Sequence, residues 1–163
     1  MNNLVVFDFK TGSDISGWNT VNDVVMGGIS SSQFDVNAEG HGEFTGTVSL
    51  ENNGGFCSLR YTFGRTDMSN YSKFIIRVKG DGKKYQFRVR SNYRDYYAYI
   101  SYFQTNGEWQ TVEIPFDSLY PSFRGRELKM DNYPGKVAEE IGFLIGNKKA
   151  ENFSLLLDKI ELK

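Results

Sequence analysis

The sequence predicts an all-β fold, a two-sheet antiparallel jelly-roll sandwich, and three observations carry that expectation. Aromatic residues make up 15% of the chain, and 17 glycines stand against 3 prolines. Short runs of alternating apolar and polar residues recur with turn residues between them, the period of half-buried strands rather than of helices. The last run breaks phase, as strongly curved sandwich strands do. At 163 residues the chain is of the size of one domain, 1–163, able to bury roughly two-thirds of its unfolded surface.

Taken in order, "LVVFDF" opens the series of strands. In "FTGTVSL", Phe44, Val48 and Leu50 share a face with Gly46, while Thr45, Thr47 and Ser49 share the other. "GFCSLRYTF", "KFIIRVKG", "KKYQFRVRS", "YYAYISYF", "EWQTVEIPF", "EEIGFLIG" and "FSLLLDKIEL" continue it. A short helical piece is expected around Phe116 to Tyr120, with one further turn over Val137 to Glu140. The Asp81-Gly82 pair in "KGDGKK" predicts a two-residue type I′ hairpin. That register would set Val78 against Tyr85, Ile76 against Phe87 and Phe74 against Val89 on one core face. Arg77, Lys79, Lys84, Gln86, Arg88 and Arg90 would then share the opposite, solvent-facing side. In the final strand Phe153, Leu155 and Leu157 alternate, and Ile160 and Leu162 resume out of step, which predicts a β-bulge near Asp158 and Lys159.

Composition also bounds the function. A formal net charge of -1 and a pI near 5.9 give no whole-chain footprint for nucleic acid or an anionic membrane, and no apolar run approaches the roughly 20 residues of a membrane span. Cys57 is the only cysteine, so no internal disulfide framework and no cysteine-based zinc site can form. The opening "MNNLVVFDFK" has neither a secretory nor a transit pattern, and a cytoplasmic address is expected.

Chemistry-bearing motifs are few. The stretch "VNDVVMGGIS" joins Asn22 and Asp23 to Gly27 and Gly28. It reads either as a ligand loop with close backbone access or as a bend in which the Asx side chains satisfy main-chain groups and Met26 fills the core. It has neither the Lys-Ser/Thr of a phosphate loop nor the helix start of a dinucleotide fingerprint. His41, the one histidine, sits between glycines in "EGHGEF" and is expected on a surface turn. No Ser-His-Asp set or metal-ligand spacing can be built around it, so no catalytic residue, metal or cofactor is assigned.

The stronger constellation is the polar strand face, Arg77, Lys84, Gln86, Arg88 and Arg90, with the tyrosines of "SNYRDYYAYISYF". Rings stack on sugars or bases, and arginines bond hydroxyls, carboxylates or phosphates. Alternation lets only one of the pairs Tyr97/Tyr99 and Tyr96/Tyr102 join this platform; Tyr97 and Tyr99 are assigned to it. Arg60 and Arg124 are further candidates, expected to be held by a structural carboxylate such as Asp23. Trp109 is expected as a core anchor.

In sequence, "W..VNDVVMGGISSSQF", "GGFCSLR", "VKGDGKKYQFRVR", "GEWQTVEIPF", "FRGR" and "IGFLIGNK" resemble the complex I intermediate-associated protein family over nearly the whole chain. The resemblance implies a galactose-binding-like jelly roll and, from the family's mitochondrial members, an assembly chaperone for respiratory complex I. The expected function is therefore a non-catalytic module binding a protein partner. The alternative is a carbohydrate-binding module that uses a concave, Tyr/Arg-rich sheet face. Nucleic acid and membrane are not expected as partners.

Overall fold

The computed structural model describes residues 3–23 and 27–163. Two antiparallel sheets pack face to face. The first contains β3 (Ser31–Val36), β4 (Gly42–Val48), β13 (Glu151–Leu162), β6 (Lys73–Lys79) and β9 (Trp109–Pro115) in that spatial order, with β1 (Leu4–Asp8) also paired to β13. The second runs β11 (Arg126–Glu127), β10 (Tyr120–Phe123), β8 (Ala98–Gln104), β7 (Lys84–Arg90), β12 (Val137–Ile145), β5 (Cys57–Asp67) and β2 (Trp18–Asn22). Every strand expected from the sequence is present, and the sandwich architecture is as expected.

The β13 bulge lies where the phase break put it: the pairing with β6 shifts between Leu157 and Lys159. Phe153, Leu155, Leu157, Ile160 and Leu162 are all buried, so the extra residue is what keeps both halves of the strand facing inward. The helical piece at Phe116–Ser118 is a single 3₁₀ turn. Val137 to Glu140 is not helical but the start of β12, because pairing with β5 and β7 decides its conformation. Leu50 is exposed, since β4 ends at Val48.

The expected Asp81-Gly82 hairpin does not form. Gly82 has a positive φ of 86°, but Asp81 does not, and a type I′ turn requires both. Instead, the chain leaves one sheet at β6 and enters the other at β7. The Asp81 carboxylate fixes that crossing: it accepts hydrogen bonds from the Ser154 amide of β13 at 2.9 Å and from the Tyr85 hydroxyl of β7 at 2.9 Å. The six apolar residues are core, as expected, but they meet across the interior; the Phe74 and Phe87 rings lie 4.9 Å apart. The polar sides of β6 and β7 consequently point to opposite surfaces of the protein. Arg77 and Lys79 are separated from Gln86, Arg88 and Arg90 by the full thickness of the sandwich. A type I′-like turn does occur at Arg124-Gly125, where φ is 51° and 80° and Phe123 pairs with Arg126.

Phe87 is fully buried at the centre of this interior. Phe87→Ala should lower the unfolding free energy by about 3 to 5 kcal/mol in denaturant titration. A midpoint equal to that of the unaltered chain would contradict the packing.

Candidate functional site

β7 lies near the middle of the second sheet, so the residues it turns outward become the centre of a broad surface. Cross-strand pairing sets these residues in rows. Arg88 is opposite Gly142 of β12, which is opposite Arg60 of β5; on the other side Arg88 is opposite Ile100 of β8. In the neighbouring rows Arg90 is opposite Glu140, itself opposite Thr62, while Gln86 lies between Leu144 and Tyr102. Gly142 therefore forms a side-chain-free floor between two arginines. It has to be glycine, since a Cβ there would lie 2.5 Å from the Leu59 carbonyl oxygen.

The polar groups over this floor are interlinked. Arg90 donates to Glu140 Oε1 at 2.8 Å and through Nε to the Tyr97 carbonyl at 3.2 Å. The Thr62 hydroxyl donates to Glu140 Oε2 at 3.3 Å, and Arg60 Nε stands 4.0 Å from Oε1. Arg88 donates to Gln86 Oε1 at 2.7 Å, and the Gln86 amide reaches the Tyr102 hydroxyl at 3.2 Å. Lys84 caps the row with its ammonium 4.3 Å from the centre of the Tyr102 ring. Burial, reinforced by the charges of Arg90 and Arg60, lowers the Arg88 pKa to about 10. Burial and the charge of Arg90 shift Arg60 down as well, with Glu140 opposing.

Several residues assigned to this platform lie elsewhere. Arg77 is on the opposite outer face, 3.6 Å from Asp158 and 5.4 Å from the ring centre of Trp109. That tryptophan is half-buried there instead of anchoring the core, because Gln110, Val112 and Ile114 take the inward positions of β9. His41 packs on it at 4.6 Å and is half-buried rather than free on a turn. Tyr99 points inward and is 6% exposed, with burial raising its hydroxyl to about 12; it packs on Tyr133. Tyr97 packs against the core and against Tyr99. The other pair is the outward one, with Tyr96 and Tyr102 exposed. Glu140 was not singled out from sequence. It was detectable as the outward carboxylate beside the inward Ile141, Phe143 and Ile145.

The Asn-Asp and Gly-Gly stretch is an internal fastening. Asp23 is 1% exposed. Its carboxylate accepts from the amides of Ser30 at 2.9 Å, Gly55 at 2.6 Å and Phe56 at 3.3 Å, and from the Ser30 hydroxyl. The same hydroxyl accepts from the Ser49 amide at 2.8 Å. Gly28 leaves room for this group: a Cβ there would lie 2.4 Å from Asp23 Cγ. Gly27, with φ of 91°, makes the turn, and Asn22 accepts from the Ser32 hydroxyl at 2.6 Å. Met26, expected in the core, lies outside the described residues. Asp23 does not pair with Arg60, whose carboxylate neighbour is Glu140 on the outer face. Arg124 is exposed at its turn, over the Phe123 ring.

An all-β sandwich of two antiparallel sheets with a polar, tyrosine-edged outer face has the architecture of a jelly roll. Residues 7–157 match the family Complex I intermediate-associated protein 30 (CIA30), and the chain belongs to that family. It is 27% identical to the mitochondrial complex I intermediate-associated protein 30 of Drosophila melanogaster, an alignment over 98% of this chain and 62% of that protein. With the Mus musculus protein of the same name it shares 26% identity over 96% of this chain and 55% of the relative. The chain thus spans less than two-thirds of the length of either curated relative. Among solved structures, the family 11 carbohydrate-binding module of a Clostridium thermocellum cellulosomal cellulase superposes with a TM-score of 0.73. That likeness covers 99% of this chain and 94% of the module at 18% identity, which is similarity of fold. No helix among the described residues is long and apolar enough to cross a membrane.

Asp23→Ala should cost about 3 kcal/mol, since it strips the acceptor from several buried donors, whereas Arg60→Ala should cost no more than about 1 kcal/mol. Denaturant titration separates the two, and equal losses would restore an Asp23–Arg60 lock. Burial raises the Asp23 pKa, but the Ser30, Gly55 and Phe56 donors outweigh it and hold the group below its ordinary 3.8. A carboxyl lowered by folding contributes stability that is full above the unfolded value and is lost as pH falls through the folded one. The wild-type advantage over Asp23→Ala should therefore persist at pH 5 and shrink below about pH 4.

Proposed function

We propose that this chain is a non-catalytic assembly module that holds a protein partner on the outer face of the second sheet, the surface built from Arg60, Lys84, Gln86, Arg88, Arg90, Glu140 and Tyr102. The observation that carries this reading is the state of Arg88. It is partly withdrawn from water at the centre of the face and bonded to a glutamine, and among the described residues it has no carboxylate partner. A base whose folded pKa lies below its unfolded one subtracts from stability at neutral pH, so packing does not account for its presence. Family membership supports a protein as the occupant, because the curated relatives are named for association with complex I intermediates.

The second reading, a carbohydrate-binding module, draws on the fold shared with the family 11 module and on the exposed ring of Tyr102. A glycan array on the purified chain decides between the two. The sequence led to a cytoplasmic address, while the curated relatives are named mitochondrial. Fractionation of cells carrying a tagged chain assigns the compartment.

Lys84 and Tyr102 are exposed at one side of the face and away from Glu140. The double variant Lys84→Ala, Tyr102→Ala should fold with stability within about 1 kcal/mol of the parent. It should nevertheless lose most co-purifying protein in quantitative mass spectrometry of tagged-chain captures. Capture unchanged at unchanged stability would contradict the assignment.

A further inference from the structure

Charge at the centre of the face does not balance. Arg60, Arg88 and Arg90 gather around Gly142, and among the described residues Glu140 is the one carboxylate bonded to them, which leaves two positive charges in excess. Glu140 is already engaged by Arg90 and by the Thr62 hydroxyl, and its side chain is 9% exposed, so it cannot swing over to Arg88 without breaking both bonds. Arg60 and Arg88 flank Gly142 on successive strands, which sets their Cα atoms about 10 Å apart. The opening over Gly142, lined by Arg60, Arg88, Arg90 and Glu140, holds about 10 Å³, room for about one water, so the two guanidinium groups must part to admit a small planar anion and then close on it from either side. Guanidinium donors match a carboxylate in a bidentate fork and are weakly hydrated enough to work in a partly dry site.

We infer that the Gly142 floor between Arg60 and Arg88 is a receptor for a carboxylate side chain, and that the segment bound on this face is an acidic peptide of the partner. The inference rests on the protein-binding reading of the same face and names the chemistry that the face selects. Tyr102, in the row next to Arg88, and Lys84, one row further, suit an aromatic or second acidic residue beside the first. Arg90 serves as a positioning residue, since its bonds to Glu140 and the Tyr97 carbonyl hold it in the sheet. The uncompensated cation also implies that the free protein tolerates unfavourable charge until the ligand arrives.

Titration of the full chain with blocked peptides, followed by nitrogen-15 NMR of backbone amides and arginine Nε groups, tests this. The probes are a pentapeptide with glutamates flanking a tyrosine, the same peptide with glutamines, inorganic phosphate and cellotetraose. The glutamate peptide should saturate shifts of the Gly142 amide and the Arg88 Nε signal. The glutamine peptide should bind at least about tenfold more weakly, and added salt should weaken the acidic peptide selectively. Arg88→Met should lose the same factor while its melting temperature stays level or rises. Should that variant melt low, Arg60→Met, which leaves the Arg90–Glu140 pair intact, is read in its place with the same expected loss. Equal binding of the two peptides, saturation of these signals by phosphate or cellotetraose in preference to the acidic peptide, or full affinity in the arginine variant would overturn the inference. Equal peptide binding together with lost capture in the Lys84, Tyr102 variant would remove the carboxylate receptor and keep the platform. Glutamate-selective binding with capture unchanged would do the reverse.

Discussion

The Asp23 carboxylate is the contact on which the placement of this surface depends. It gathers the end of β2, the start of β3 and the approach to β5 around one buried anion, and Ser30 extends the link to the end of β4. The two sheets are thereby joined at one end, with the Ser30, Gly55 and Phe56 amides all donating to this one carboxylate. Because side chains alternate along a strand, a slip of one residue in β5 would exchange Arg60 with Leu59 or Tyr61 and send an arginine into the core. The Asp23 amide bonds to the Phe56 carbonyl, and Asn22 pairs with Cys57, so the fastening also sets where β5 begins to count. What reads in sequence as a potential ligand loop is a structural device that lets a distant face be polar.

A second carboxylate, Asp81, performs the equivalent task at the sheet-to-sheet crossing, and it marks the limit of what the sequence could reveal. Local alternation was enough to find nine strands, the β13 bulge and the burial of Phe74, Ile76, Val78, Tyr85, Phe87 and Val89. It could not tell whether β6 and β7 lie side by side or face each other, since both arrangements bury the same residues. The choice is made by Asp81 bonding to Ser154 and Tyr85, a contact with a sequence separation of 73 on one side. The cost of that ambiguity was the misplacement of Arg77. β2, β3, β10 and β11 were missed because they are short and polar or follow turns whose conformation is set by long-range contacts. Tyrosine alternation likewise gave two sets but no sign for which faced outward, and the packing of Tyr99 on Tyr133 resolves it.

The two outer faces use charge differently. On the first sheet Arg77 faces Asp158 beside Trp109, and Lys73 pairs with Glu113, so these cations meet carboxylates of the same surface. On the second, the most central arginine is bonded to a neutral amide and lies among other arginines. Folding alone would favour an apolar residue at Arg88, which has an inward-facing neighbour on either side and a glycine opposite. A group that opposes stability at the middle of an outer sheet face is the physical signature expected of a binding residue.

The central claim is that the partner sits on the second sheet and not on the first. Photo-crosslinking states this most directly: a benzophenone side chain introduced at Gln104, exposed on the second sheet opposite Lys84, is compared with one introduced at Thr111, on the outer face of the first. The expected result is a discrete adduct from the Gln104 position that disappears when the acidic peptide is added in excess, with none from Thr111. A discrete adduct from Thr111 and none from Gln104 would place the partner on the opposite face and contradict the claim.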